Sequence, residues 1–217
     1  MKKGSNTISS VYKGSTVIQK IYKSSIPVME KEGTPYTPIE YLQNTGTGYI
    51  NTGYKPNHNT KLVITLSNVT GTNGDATVFG ETWATNRFLV TIYNNSYRYF
   101  YKGEHSTSNI TNKYTLSFYR GTVIRNGITL REDNSINSSV SFTNNLSLFC
   151  ATSHVNSSLS KYSKYKLYAC SIYDDNVLVR DYIPVKDKNG VVCLYDKVNQ
   201  NFVYSANGQS FVGGQEI

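Results

Sequence analysis

The alternation of apolar and polar positions from residue 39 onward is typical of β-strands. Leu62, Ile64 and Leu66 alternate with more polar neighbours, and Phe88 and Val90 repeat the pattern later in the chain. A two-residue alternation places apolar side chains on one face of a half-buried strand. Turn-forming residues separate such runs about every eight to twelve positions, and no long stretch has helical spacing. Residues 39–217 are therefore predicted to form an all-β, antiparallel, two-sheet jelly-roll sandwich.

Turn signals predict individual hairpins within this sandwich. Tyr114–Tyr119 is a predicted strand, and Asn126-Gly127 beyond it predicts a type I′ turn, because both central residues of that turn need positive φ. Asn94-Asn95 is predicted to turn the chain into a strand on which Tyr97 and Tyr99 share a face.

A ten-residue repeat precedes the sandwich. Residues 11–18 (VYKGSTVI) and 21–28 (IYKSSIPV) each contain a β-branched residue, Tyr and Lys, a small-residue turn and further apolar residues. The repeat predicts two short hairpins or one strand-turn-strand ribbon. Its few apolar side chains bury too little surface to offset the entropy of ordering the segment, so we expect residues 1–33 to dock by strand addition on the sandwich, on copies of themselves or on another protein. The alternative is a disordered tail, which the Lys, Ser and Gly content permits. The predicted anchoring residues are Val11, Tyr12, Val17, Ile18, Ile21, Tyr22, Ile26 and Val28, and residues 34–38 are a predicted linker.

Charge and cysteine content narrow the function classes. Of the net charge of +8, residues 1–33 carry six Lys and two Glu, hence +4, and the remaining 184 residues share the other +4. Lys and Arg are scattered singly in the body, whereas nucleic-acid sites cluster them, so nucleic acid is not an expected partner. Cys150, Cys170 and Cys193 are odd in number and flanked by apolar residues, which predicts buried free thiols.

No run of apolar residues is long enough to cross a membrane, and no apolar segment follows the basic start. We therefore expect no membrane partner and no secretory leader, with synthesis and assembly in a cytoplasm.

Two stretches resemble a known domain family. Residues 39–54 (IEYLQNTGTGYINTGY) are similar to the opening of a concanavalin-like (laminin-G-like) jelly-roll domain, and residues 178–185 (LVRDYIPV) and 189–198 (NGVVCLYDKV) are similar to its end. Such domains occur in tailed-phage virion appendages and in gut-bacterial surface proteins. The resemblance spans residues 39–214. It departs at residues 150–152, where a loop rich in Asn and Gly is expected, and at Cys193, where Gly is usual. The repeat of the arm resembles the short YKGS repeats by which tailed-phage virion proteins attach.

Catalytic and metal chemistry is not expected. Glycosidases of the resembled fold carry their carboxylates in a Glu-x-Asp-x-x-Glu run, which this sequence lacks; Glu81 stands alone, and the adjacent Glu132 and Asp133 would point to opposite faces of a strand. A Cys150–His154 nucleophile pair is a weak alternative. The acidic loop clusters at 73–75 and 174–176 are interpreted as turns, so no cofactor is expected, with Ca²⁺ as the alternative.

A candidate glycan site surrounds the one tryptophan, because a sugar's apolar face stacks on aromatic rings. Alternatively, the tryptophan packs over a sheet end and the tyrosines of the next strand line an exposed sheet face. The residues of the candidate site are Trp83, Asn86, Arg87, Tyr97, Arg98 and Tyr99.

These features together predict a non-enzymatic virion accessory or decoration protein of a tailed phage, of head-fibre or tail-fibre type. Its arm would attach to a capsid or tail protein, its sandwich would face host-surface polysaccharide, and its arm strands would favour a homodimer or homotrimer. The alternatives are a bacterial cell-surface glycan-binding module and a glycosidase of the same fold.

Overall fold

The computed structural model of the protein describes residues 11–13, 16–18, 34–71, 75–83, 86–93, 96–100, 104–108, 112–132, 142–153 and 157–217. Two units are distinguished, Met1–Tyr36 and Thr37–Ile217. The described residues form strands, turns and bends, and among them no helix is long and apolar enough to span a bilayer.

The first unit contains a small hairpin. Strands β1 (Val11–Lys13) and β2 (Thr16–Ile18) pair antiparallel, with Tyr12 opposite Val17. In the described part of the chain they pair only with each other. The hairpin predicted for the first copy of the repeat is thus confirmed. The predicted anchoring residues of the second copy, Ile21, Tyr22, Ile26 and Val28, lie outside the described residues.

The strands that follow are, in chain order, β3 (Tyr36–Pro38), β4 (Leu42–Gln43), β5 (Ile50–Asn51), β6 (Thr60–Gly71), β7 (Asp75–Trp83), β8 (Asn86–Tyr93), β9 (Ser96–Phe100), β10 (Glu104–Ser108), β11 (Tyr114–Tyr119), β12 (Thr122–Arg125), β13 (Ile128–Arg131), β14 (Ser147–Leu148), β15 (Ala151–Ser153), β16 (Leu159–Ser160), β17 (Ser163–Asp174), β18 (Val177–Asp187), β19 (Val192–Asp196), β20 (Asn201–Val203) and β21 (Val212–Gly213).

These strands form two sheets. The larger has the order β13-β12-β11-β6-β17-β18-β19-β20, with β4 beside β17, β21 beside β4 and β3 beside β18. The smaller has the order β10-β9-β8-β7-β14-β5, with β15 beside β7 and β16 beside β15. β15 and β7 run parallel to each other. The predicted all-β two-sheet sandwich is confirmed, and its sheets are compatible with a jelly roll.

The core lies between the sheets and follows the alternation in the sequence. Leu62, Ile64 and Leu66 of β6 are fully buried, as is Phe88 of β8. The Phe88 ring lies 5.0 Å from that of Phe118 on β11, in an edge-to-face arrangement. Aromatic contacts of this kind stabilise a core beyond the area they bury, and here they join one sheet to the other.

Tyr97 and Tyr99 face this core. Each is 1% exposed, and their rings stack with centroids 6.1 Å apart. The Tyr114 hydroxyl donates to the Tyr97 hydroxyl, and burial raises the pKa of both groups. The prediction that Tyr97 and Tyr99 share a face is confirmed. The predictions that this face is exposed, or forms one wall of a glycan site, are wrong, because β9 packs this face against β11 of the larger sheet, where each buried hydroxyl needs a partner.

The predicted type I′ turn is confirmed. Asn126 and Gly127 have φ of 51° and 79°, and the Asn126 Oδ1 accepts a hydrogen bond from the backbone N–H of Thr115 at 2.9 Å. Asp175 and Asn176 also have positive φ, 48° and 64°, so this acidic segment is the turn between β17 and β18.

Candidate functional site

A sharp chain reversal builds one end of the smaller sheet. β14 runs antiparallel to β7, and after the reversal β15 runs parallel to the same strand. At the reversal, Phe149 has φ of 71°, an uncommon conformation for a bulky side chain. Its fully buried ring stacks on Tyr165 at 4.1 Å. Packing therefore holds the backbone in a strained conformation, and such strain clusters at functional sites.

The reversal forms part of a surface cavity of about 330 Å³. We use floor for the lining residues whose side chains hydrogen-bond to one another or to Glu81, and rim for the polar lining residues beside them. The floor contains Thr143, Asn144, Ser147, Thr152 and Ser157, the rim contains Tyr49, Asn51, Lys55 and Asn145, and Leu159 completes the lining. We call it the amide cavity. Among the described residues, no carboxylate, thiol or imidazole lines it, so its chemistry is that of amides, hydroxyls and one amine.

The floor side chains of the amide cavity are held by one another and by the backbone. The Ser147 and Thr152 hydroxyls lie 2.7 Å apart. The Asn144 Nδ2 donates to the carbonyl of Ser153 at 3.0 Å, and its Oδ1 accepts from the Ser157 hydroxyl at 2.9 Å. These bonds fix the orientation of the Asn144 amide before any ligand arrives.

Glu81 supports the floor from inside the protein. It is fully buried, and its Oε1 accepts from the Asn144 N–H, the Asn144 Nδ2 and the Thr143 hydroxyl at 3.2–3.4 Å. Its Oε2 has no partner among the described residues. Burial raises the pKa of Glu81, and the hydrogen bonds from Asn144 and Thr143 oppose that rise only in part.

Most polar side-chain groups on the rim of the amide cavity have no hydrogen-bond partner among the described residues. Within the described part of the chain, the Tyr49 hydroxyl, the Lys55 ammonium and the Asn145 amide make no hydrogen bond or ion pair. The Asn51 Oδ1 accepts from the N–H of Gly53 at 2.9 Å, and its Nδ2 has no acceptor among the described residues. A fixed floor with free groups around it can bind a polyhydroxylated ligand with little ordering cost.

A second cavity, of about 530 Å³, lies beyond Asn51. Its lining includes Arg180, Tyr182, Asp196, Asn199, Asn201, Phe202 and Tyr204. We call it the Arg180 cavity.

The two charged side chains that line the Arg180 cavity, Arg180 and Asp196, make contacts that stabilise the fold. Asp196 is 1% exposed, and its Oδ1 accepts from the N–H groups of Asp181 and Val198, each at 3.0 Å. Its Oδ2 accepts from the Asn199 Nδ2 at 2.6 Å and lies 3.7 Å from the Arg180 Nε. Residues 180–182 (RDY) and 194–196 (LYD), near the end of the sequence, thus stabilise a turn.

Burial removes Tyr97 and Tyr99 from the predicted tryptophan-centred site, and the side chains of Trp83 and Asn86 lie outside the described part of the chain. Trp83 and Asn86 are cross-strand partners, and Arg87 is exposed. The Arg98 guanidinium lies over the ring of Tyr93 at 4.0 Å, on the face opposite Tyr97 and Tyr99. With both tyrosines in the core, neither can form the aromatic wall that was predicted for this site.

The residues of the amide cavity were not predicted from the sequence. Tyr49 and Asn145 lie far apart in the chain and approach each other because β5 pairs with β14. The Asn144-Asn145 pair is a local signal, yet it is indistinguishable from the many turn asparagines of this chain.

The three cysteines are free and fully buried, as predicted. Burial raises the pKa of Cys150 and of Cys193 to about 12, and that of Cys170 further, so the thiols stay protonated at neutral pH. His154, the suggested partner of Cys150, lies outside the described residues. Nothing in the described chain groups three or more His, Cys, Asp or Glu side chains as a metal site would.

No protein-family model matches the chain, and no curated protein matches it.

Proposed function

We propose that the chain is a non-enzymatic adhesive protein whose sandwich binds carbohydrate in the amide cavity. In this proposal its N-terminal arm attaches it to a capsid or tail protein of a tailed-phage virion. The observation that carries the proposal is the lining of the amide cavity: a fixed amide and hydroxyl floor beneath a rim of uncommitted polar groups.

This lining suits a sugar. Each sugar hydroxyl both donates and accepts a hydrogen bond, and the Asn145 amide offers both functions at one side chain. The half-buried Tyr49 supplies a ring edge or face for the apolar side of a pyranose. A volume of about 330 Å³ is within the range of small-ligand sites.

Binding without cleavage is favoured over glycoside hydrolysis. Hydrolysis needs two carboxyl groups on opposite sides of the scissile bond. Near the amide cavity the described carboxyl group is Glu81, which is buried beneath the floor and engaged by Asn144. A bacterial cell-surface glycan-binding module is the second candidate, because it would use the same cavity.

The attachment role rests on the hairpin of the first unit. Two strands of three residues each are marginally stable in isolation. Each strand has an outer edge that is unpaired in the described part of the chain, and such an edge can add to the sheet of another protein. The same edges favour symmetric self-association of the arm.

The glycan role is tested by presenting the full chain to an array of bacterial surface polysaccharides. Retention of at least one polysaccharide is expected, and Asn145→Ala should weaken it about tenfold through lost hydrogen bonds. The matched control is Gln215→Ala, because Gln215 is an exposed amide that lines neither cavity. If no polysaccharide is retained, or if Asn145→Ala binds as wild type does, the glycan proposal fails.

The attachment role is tested by replacing Val11, Tyr12, Val17 and Ile18 with Ser in the full chain. Co-sedimentation with purified particles of the phage that encodes the chain should be lost, and light scattering should report a smaller assembly. Unchanged co-sedimentation would show that the hairpin is not the anchor.

A further inference from the structure

The amide cavity and the Arg180 cavity open on the two sides of one residue, Asn51. Asn51 is exposed, it lies on β5, and it lines both cavities. Among the described strands, β5 lies at one edge of the smaller sheet and β10 at the other. Residues 51–53 therefore form a ridge between the two cavities, which we call the saddle.

Hydrogen bonds fix the saddle from both sheets. On one side, the Thr52 N–H and hydroxyl both donate to the carbonyl of Leu146, at 3.1 and 2.8 Å. On the other, the Tyr182 hydroxyl donates to the carbonyl of Thr52 at 2.8 Å, and the Arg180 Nη2 donates to that of Gly53 at 3.3 Å. The relative position of the two cavities is thus set before a ligand binds.

Side chains that can bind a sugar lie on the saddle and beyond it, as well as in the amide cavity. The Asn51 Nδ2 on its crest has no acceptor in the described chain, and the exposed Asn201 amide beyond it makes no hydrogen bond with described residues. The rings of Phe202 and Tyr204, 6.1 Å apart, add aromatic surface to the Arg180 cavity. Polar amides beside aromatic rings are found in both cavities.

From this continuity we infer that the ligand is a linear oligosaccharide segment that crosses the saddle, with consecutive sugars in the amide cavity, over Asn51 and in the Arg180 cavity. The inference rests on the proposed function and deepens it. The protein then recognises an internal segment of a polysaccharide and not a single terminal sugar, because one sugar fills only one of the two cavities.

The test uses size-fractionated fragments of the polysaccharide that the array retains most tightly. Calorimetry on the full chain compares fragments of about two sugars with fragments of about six. The longer fragments should bind at least about tenfold tighter, because they reach the second cavity. Asn201→Ala should remove most of that advantage and leave the short fragments unaffected. Asn145→Ala should weaken the binding of both lengths, and the control Gln215→Ala should change neither.

Each outcome decides the matter. If affinity does not rise with length, or if Asn201→Ala weakens short and long fragments equally, the extended site is overturned while the glycan function stands. If the array retains no polysaccharide at all, the proposed function fails and the extended site fails with it.

Discussion

Replacing Asp196 by Ala tests whether residues 178–198, near the end of the sequence, stabilise the fold. This buried carboxylate accepts two backbone N–H groups and the Asn199 amide, and it also faces Arg180. Removing it leaves those donors without their acceptor. Loss of one partner of a buried, hydrogen-bonded charge costs about 3–5 kcal/mol, a large share of the stability of an ordinary domain.

This loss of stability has two causes, the lost ion pair with Arg180 and the lost hydrogen bonds from backbone N–H groups. The Arg180 Nε lies 3.7 Å from Oδ2, and the Arg180 side chain is 22% exposed, so their ion pair contributes at most about 1 kcal/mol. Most of the loss must come from the N–H groups of Asp181 and Val198. We therefore expect Arg180→Met to cost about 1–2 kcal/mol, with a coupling energy to Asp196→Ala of about 1 kcal/mol or less.

Asp196→Asn is the matched variant. It keeps an oxygen for the two backbone donors but places an amide nitrogen against the Asn199 Nδ2, so it should cost less than Asp196→Ala. Urea denaturation of the full chain, followed by circular dichroism, measures the free energies of unfolding of the wild type, the three single variants and the Arg180→Met/Asp196→Ala double variant. Should Arg180→Met cost as much as Asp196→Ala, with a coupling energy near the full loss, the ion pair would dominate and the reasoning would be refuted.

Three further predictions concern groups that the structure buries or strains. The pKa of Glu81 is raised in the fold, so the folded state binds the Glu81 proton more tightly than the unfolded chain does. The stability that this proton contributes is therefore lost as the pH rises from 4.5 through the folded pKa of Glu81. Glu81→Gln should flatten that decline in denaturation curves recorded between acidic and neutral pH, and an unchanged decline would contradict the role of Glu81. The three buried thiols should not react with a thiol reagent in the native protein at neutral pH and should all react in denaturant, whereas rapid native labelling would contradict their burial. Asn126→Ala should destabilise by about 1–2 kcal/mol, because it places Ala at positive φ and removes the bond to the Thr115 N–H; thermal unfolding would contradict this if the melting temperature did not fall.

Local patterns in the sequence predict the strands and tight turns of this fold well. The alternation at Leu62, Ile64 and Leu66 requires one buried face, and Asn126-Gly127 requires positive φ at both positions. Both signals act over a few residues and need no knowledge of distant partners. The direction of the Tyr97 face was harder to predict, because tyrosine suits both an exposed sheet and a core that offers its hydroxyl a partner.

The amide cavity depends on information that no short segment contains. Its rim brings Tyr49 together with Asn145 through pairing of β5 with β14, and its floor depends on the reversal at Phe149. Positive φ is usually signalled by Gly or Asn, and here it occurs at a phenylalanine. Stacking of that ring on Tyr165, a tertiary contact, accounts for the conformation. Local sequence rules therefore miss both the reversal and the site it builds.

The most direct test of carbohydrate binding in the amide cavity is a crystal structure of the full chain with a six-sugar fragment of the retained polysaccharide. If an oligosaccharide binds across the two cavities, sugar density should contact Tyr49 and Asn145 and continue over Asn51 toward Asn201. Sugar density elsewhere on the sandwich, for example beside Trp83 and Arg87, with the amide cavity free of sugar, would contradict it.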